Sequence, residues 1–160
     1  MKNFIGLILL LFSLTTVGCG FAPSGSGRES AAKTPSGDSY TAADSRGKTF
    51  AFAEKPTRIV CGFVFADEVL LDLVAHDRIV GLDKWVHDEG LSSAVREAAD
   101  VKTVIEMNTE SIVALQPDLV LMPDASRGDL VATLEDMGFR VYVYPNARRL
   151  GDVEGMIRSL

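Results

Sequence analysis

The chain has 160 residues, 47% hydrophobic and 24% charged, with 22 acidic against 16 basic side chains and a formal charge of −6. On a usual scale of roughly 100 to 200 residues per domain, that length supports one domain with a substantial core and no second full domain. The acidic balance argues against a nucleic-acid-binding surface, but it leaves room for a local basic pocket for an anionic ligand, with Arg127, Arg140, Arg148 and Arg149 as candidates.

Residues 1–18 read as a secretory leader, with Lys2, an apolar run from Phe4 to Leu14, and then small residues before Cys19. The apolar part is short for a membrane-spanning helix. Thr16, Val17, Gly18 and Cys19 resemble a bacterial lipobox, with threonine where leucine is commonest. That resemblance implies cleavage before Cys19, acylation of the cysteine, and a chain anchored by lipid to the cell membrane on its extracytoplasmic side. With Cys19 lipidated, Cys61 has no intrachain partner and reads as a small buried residue in a strand. Residues 19–39 are rich in Ser, Gly, Ala and Pro without apolar periodicity, the composition of a flexible tether.

Residues 40–150 carry the periodic patterns of an α/β lobe. Tyr40 to Phe52 reads as a hairpin, with Asp44, Ser45, Arg46 and Gly47 in the turn and Phe50 and Phe52 on one face. Arg58 to Gly62 is the first buried strand, and Asp67 to Ala75 is the following helix, with Asp67 and Glu68 in its first turn and Val69, Leu70, Leu73 and Val74 as its stripe. Asp77 to Asp83 returns as a parallel strand and completes a βαβ unit. In Met107 to Pro123, Asn108 or Thr109 starts a helix, Glu110 suits its positive first turn, and Pro117 stops it. Leu119 to Met122 then forms a strand apolar on both faces. Asp129 to Met137 is a further helix stopped by Gly138, and Arg140 to Tyr144 is a strand with Tyr142 and Tyr144 on one face. Residues 151–160 begin another helix. The expectation is a three-layer lobe with a mostly parallel sheet of about four strands.

Asn108, Glu110, Ile112, Ala114, Leu115, Pro117, Asp118, Leu119 and Val120 match N-x-E-x-I-x-A-L-x-P-D-L-V, and Arg58, Ile59 and Val60 with Asp77 to Gly81 match its companion segments R-I-V and D-R-I-V-G. The chain thereby resembles the substrate-binding lipoproteins of ABC importers for iron siderophores, haem and cobalamin, over roughly residues 40 to 160. The resemblance implies the N-terminal lobe of a two-lobe periplasmic binding protein, with residues 151–160 as the start of the inter-lobe connector helix and the second lobe absent from the sequence. It also implies capture of a small molecule, a metal chelate above all, followed by docking on a membrane permease, without a chemical step. Glu110 falls on the family's docking residue. Glu68 falls on a family glutamate, and it also suits a helix first turn.

Loops after parallel strands converge on one sheet edge, where ligands bind in open α/β sheets. That placement makes Phe63, Phe65, Trp85, Pro123, Asp124 and Arg127 the candidate ligand-binding residues. Strand alternation would send only one of Phe63 and Phe65 into the pocket and the other into the core. Trp85 matches a pocket aromatic of cobalamin-binding relatives, whereas Pro123 stands where the family carries another. Arg127 is suited to a ligand carboxylate or phosphate. His76 and His87 lack metal-site spacing and read as surface residues, so neither metal nor cofactor is expected. The rival readings are a truncated, nonfunctional lipoprotein and a nucleotide-using α/β enzyme. Against the enzyme, the sequence has no G-x-G-x-x-G, G-x-x-x-x-G-K or G-x-S-x-G motif.

Overall fold

The computed structural model describes residues 39–160. The leader, Cys19 and nearly all of the tether lie outside the described residues. An antiparallel hairpin, β1 (Tyr40–Ala43) and β2 (Thr49–Phe52), precedes the main sheet. The sheet has five strands, β3 (Ile59–Cys61), β4 (Ile79–Asp83), β5 (Val104–Ile105), β6 (Leu119–Pro123) and β7 (Val141–Tyr144), in the order β5-β4-β3-β6-β7. Every pair in it is parallel. The fifth strand, absent from the sequence expectation, is the two-residue β5; so short a segment carries no period of its own.

Strand alternation divides the core in two. Ile59, Cys61, Leu119, Leu121, Tyr142 and Tyr144 face one cluster, shared with α1 (Val64–Leu73), α2 (Val95–Ala98), α5 (Val153–Ser159) and the hairpin phenylalanines. Val60, Val120, Met122, Val141 and Val143 face the other, covered by α3 (Thr109–Ala114) and α4 (Gly128–Asp136). The architecture is the expected three-layer α/β lobe, and Tyr142 and Tyr144 share a face as their spacing required.

The P-D pair fixes the turn into β6. Gln116 takes φ +47°, outside the helical region that the following proline disfavours, and Pro117 is buried. The Asp118 carboxylate accepts from the Thr57 N–H at 2.7 Å and the Arg58 N–H at 3.0 Å, tying the start of β3 to that of β6. Asn108 caps α3, its side-chain oxygen accepting from the Ser111 N–H at 2.9 Å. Asn108→Ala is therefore expected to destabilise the fold by about 1 kcal/mol, read as a lower urea midpoint at unchanged slope.

The hairpin is held by charge as well as by its aromatic face. Asp44, buried at the turn, accepts from the backbone N–H groups of Arg46 and Lys48, both at 2.9 Å, and from the Arg46 guanidinium at 2.7 Å. Arg46 also donates to Glu135 of α4 and to the Val141 carbonyl of β7. Burial alone would raise the Asp44 pKa, but these hydrogen bonds and the Arg46 charge hold it below the usual carboxylate range.

Candidate functional site

Chain order leaves β3 in two directions: through α1 and α2 to β4 and β5 on one side, then back through α3 to β6 and β7 on the other. The strand order reverses between β3 and β6. In an open parallel sheet, the loops at the carboxyl ends of such a strand pair part to opposite faces and leave a crevice. Here that crevice is real. A cavity of about 270 Å³ is lined by Gly62 and Phe63 after β3, by Met122 and Pro123 at the end of β6, and by Met107 and Arg127.

Phe63 also borders a larger, more open cleft of about 560 Å³, shared with Phe65, Arg148, Leu150, Val153 and Met156. The aromatic ring thus stands as a ridge between two concavities, itself 37% exposed. A third, smaller cavity of about 160 Å³ adjoins the first and shares Met107, Arg127 and Leu130 with it, while its remaining walls are the polar Asn108, Thr109, Asp129 and Thr133.

The structure brings four of the six candidate residues together and leaves two apart. Phe63, Phe65, Pro123 and Arg127 line these concavities. For the expectation that one phenylalanine serves the pocket and the other the core, it is the reason that changes: the segment is the start of α1, with Phe63 as the N-cap residue, so strand alternation does not apply, and both line the same cleft. Phe65 additionally packs on the core. Asp124 sits beside the rim, accepting from the Asn146 N–H at 3.2 Å and pairing with Arg148 at 3.8 Å, but it lines neither cleft. Trp85 stands in a 3-10 turn, Lys84–His87, whose first residues are held by Asp83. It is 47% exposed under the Lys84 ammonium and lies outside the lining of both clefts.

Arg127 leads into α4 with its guanidinium on Asp129, at 2.5 and 3.1 Å. That hydrogen-bonded pairing raises its pKa further, on a guanidinium that is charged in any case. Glu110 is exposed in the first turn of α3 and makes no ion pair among the described residues. Glu68, by contrast, is engaged within the chain, accepting from the Ser92 hydroxyl at 2.9 Å and the Ser93 N–H at 2.6 Å. His76 and His87 are both partly exposed; His76 bonds Asp100 and the Leu71 carbonyl, and the Nε2 atom of His87 is buried. No group of three or more metal-ligating side chains gathers among the described residues.

A buried polar trio went unforeseen. Asp67 is fully buried rather than a first-turn surface charge, because α1 begins at Val64, three residues before the expected start. Its Oδ2 accepts from the Asp83 N–H at 2.9 Å, the Cys61 thiol bonds the same carboxyl, and Oδ1 has no partner among the described residues. Burial pushes the Asp67 pKa to about 8 and raises the Cys61 thiol as well. The hydroxyl of Tyr144 is likewise buried and unpartnered among the described residues. The available sequence signal was the i, i+3, i+4 spacing of Ala66, Asp67, Leu70 and Leu71, which places Asp67 on the buried face of α1.

Fold and crevice define an α/β lobe that opens a crevice at the carboxyl edge of its sheet. The sequence profile of the periplasmic binding protein family matches residues 59–160, more than half of the chain, and the chain belongs to that family. No curated protein sequence matches it. Among solved structures it is similar in fold to the haem-binding protein HmuT, at 18% identity and TM-score 0.57, over 79% of this chain and 40% of that one. It is also similar to the iron-uptake ABC transporter substrate-binding protein PiuA from Streptococcus pneumoniae, at 19% identity and TM-score 0.57, over 74% and 42% of the two chains. Helicobacter pylori CeuE matches at 19% identity and TM-score 0.56, over 76% and 42%. The chain spans about two-fifths of the length of these proteins.

Proposed function

We propose that this chain is an extracytoplasmic solute-binding component of an ABC importer, lipid-anchored at Cys19, that captures an iron-siderophore, haem or cobalamin-like ligand and presents it to the membrane permease. The observation that carries the reading is the crevice between the ends of β3 and β6, apolar on its floor at Phe63, Met122 and Pro123 and cationic at its rim through Arg127. Flat, largely apolar chelates bearing acidic groups fit that chemistry: their bodies bury against aromatic and thioether surface while a carboxylate meets a guanidinium. Membership in the periplasmic binding protein family and the named ligands of HmuT and PiuA support it further. Glu110, exposed and without an ion pair among the described residues, is the permease-docking residue of this proposal. A single exposed pair contributes only about 0 to 1 kcal/mol, so it orients the complex more than it holds it.

The test is calorimetric titration of the full chain with haemin, a ferric siderophore and a cobalamin. One of the three is expected to bind saturably, and Phe63→Ala to weaken that binding about tenfold by removing aromatic burial. Silence toward all three from a chain that circular dichroism shows to be folded would overturn the reading. Trp85 lies outside the clefts, so its fluorescence is the weaker reporter.

A further inference from the structure

The two cavities that meet at Arg127 differ in character, and the flexible Met107 side chain stands with Leu130 in their common wall. On one side are Gly62, Phe63, Met122 and Pro123, an apolar well; on the other are Asn108, Thr109 and Thr133, a polar one. Met107 lines both. Its thioether rests in a notch that exists only because residue 62 is glycine: a Cβ built there would fall 1.7 Å from Met107 Sδ and 2.6 Å from Cε. The side chain is half-buried and unbranched, with three rotatable bonds and a polarisable sulfur that packs acceptably in more than one position.

Resting on the solute-capture reading above, we infer that Met107 is a movable partition and the specificity-determining residue of the cleft. In its present seat it closes the apolar well against the polar one. Swung aside, it joins them, and the trough accepts a ligand with an apolar body over Phe63 and an anionic tail under Arg127. Arg127 lines both wells, and among the described residues its guanidinium is held by exposed Asp129 alone, a carboxylate it can exchange for an acidic group on the ligand. The substrate class is therefore an amphipathic anion rather than a uniformly apolar or uniformly polar solute.

A pair of fluorescent probes with one body and different tails isolates this role: 8-anilinonaphthalene-1-sulfonate, which is anionic, and N-phenyl-1-naphthylamine, which is neutral. Met107→Ala in the full chain should tighten the sulfonate about tenfold, the low end of a charge-assisted hydrogen bond, and leave the neutral probe within about threefold. Met107→Phe, a bulkier partition, should weaken the sulfonate, and adding Arg127→Gln to Met107→Ala should erase the gain. Thermal melts of each variant separate these effects from loosened packing, which would raise both probes together. Equal response of the two probes, no response to either Met107 variant, or failure of the wild type to take up either probe would overturn the partition. If the partition fails while haemin, siderophore or cobalamin still binds, solute capture stands without it. If those three are silent while the probes discriminate, the partition stands and solute capture falls.

Discussion

Asp67→Asn should remove most of the pH dependence of this lobe's stability between about pH 5 and about pH 8, a window in which the parent chain loses a large share of its stability. The folded pKa of Asp67 is pushed to about 8 by burial, against a value near 3.8 in the unfolded chain. Between those values the folded state holds a proton that the unfolded state has released. Stability therefore falls as pH rises from about 4, and the contribution is gone once pH passes the folded value near 8. Four pKa units correspond to on the order of 5 kcal/mol, a substantial part of the roughly 5 to 15 kcal/mol that holds a typical domain together. Asparagine keeps an acceptor for the Asp83 N–H and places an uncharged donor where the acid proton sits. His76, raised by its bond to Asp100, adds a decline in the same direction that the variant retains, so the difference between the two curves isolates Asp67. Asp44 and Glu135, held low by Arg46 and their neighbours, lose their contributions only at more acid pH. Urea midpoints across the window decide the matter, and parallel curves for parent and variant would show that Asp67 does not carry the dependence.

The position of that acid connects stability to the cleft. Asp67 lies one turn into the helix whose first residues, Phe63 to Phe65, form the aromatic ridge, and it ties that turn to β4 through Asp83. An ionised carboxylate beside the Cys61 thiol and the Tyr144 hydroxyl would be unpaired charge in an apolar layer, and the helix start is the nearest element able to relax. Loosening should therefore show first in the opening turn of α1, as a lower protection factor for the Asp67 amide, which bonds the Phe63 carbonyl, after correction for the intrinsic rise of exchange with pH.

The sheet and its two faces were legible because their signals are repetitive. Leu119 to Met122 suited a strand apolar on both sides, following directly on the breaker Pro117 that ended the helix before it. The start of α1 was not legible, because Phe63 and Val64 are residues that favour strands and no side-chain cap marks the boundary. That single displacement of the helix start hid both the shared cleft of Phe63 and Phe65 and the burial of Asp67. β5 was missed because a two-residue edge strand is defined by its hydrogen bonds to β4 and not by pattern. At the site, sequence could assign Phe63, Pro123 and Arg127 to one sheet edge, since strand ends converge in any parallel sheet. It could not place Met107, whose role depends on the missing side chain of Gly62 across a sequence gap, nor remove Trp85 from the cleft, since a turn's direction is set by tertiary contacts.

Gly62→Ala should close the crevice without unfolding the lobe, and ligand binding should fall between about tenfold and about a hundredfold. The backbone at residue 62 has no positive φ among the described residues that do, so alanine meets no conformational penalty there. Its methyl group would instead occupy the seat of the Met107 thioether, 1.7 Å from Sδ, and the nearest atoms it meets all belong to that one flexible side chain. Met107 must then leave its seat for one of the two cavities it borders, and the loss of binding is expected because the 270 Å³ cavity is the larger and more apolar of them. A ligand would have to displace it against the overpacking cost of roughly 1 to 3 kcal/mol, which sets the range of the loss. Truncating the displaced chain should undo the defect: Gly62→Ala combined with Met107→Ala is expected to recover most of the binding, a non-additivity that independent sites do not show. Calorimetry on the four proteins, with urea midpoints alongside, separates this from a folding defect. Loss of binding that the second substitution fails to rescue would mean that Gly62 serves the ligand by its own close approach and that Met107 is a bystander.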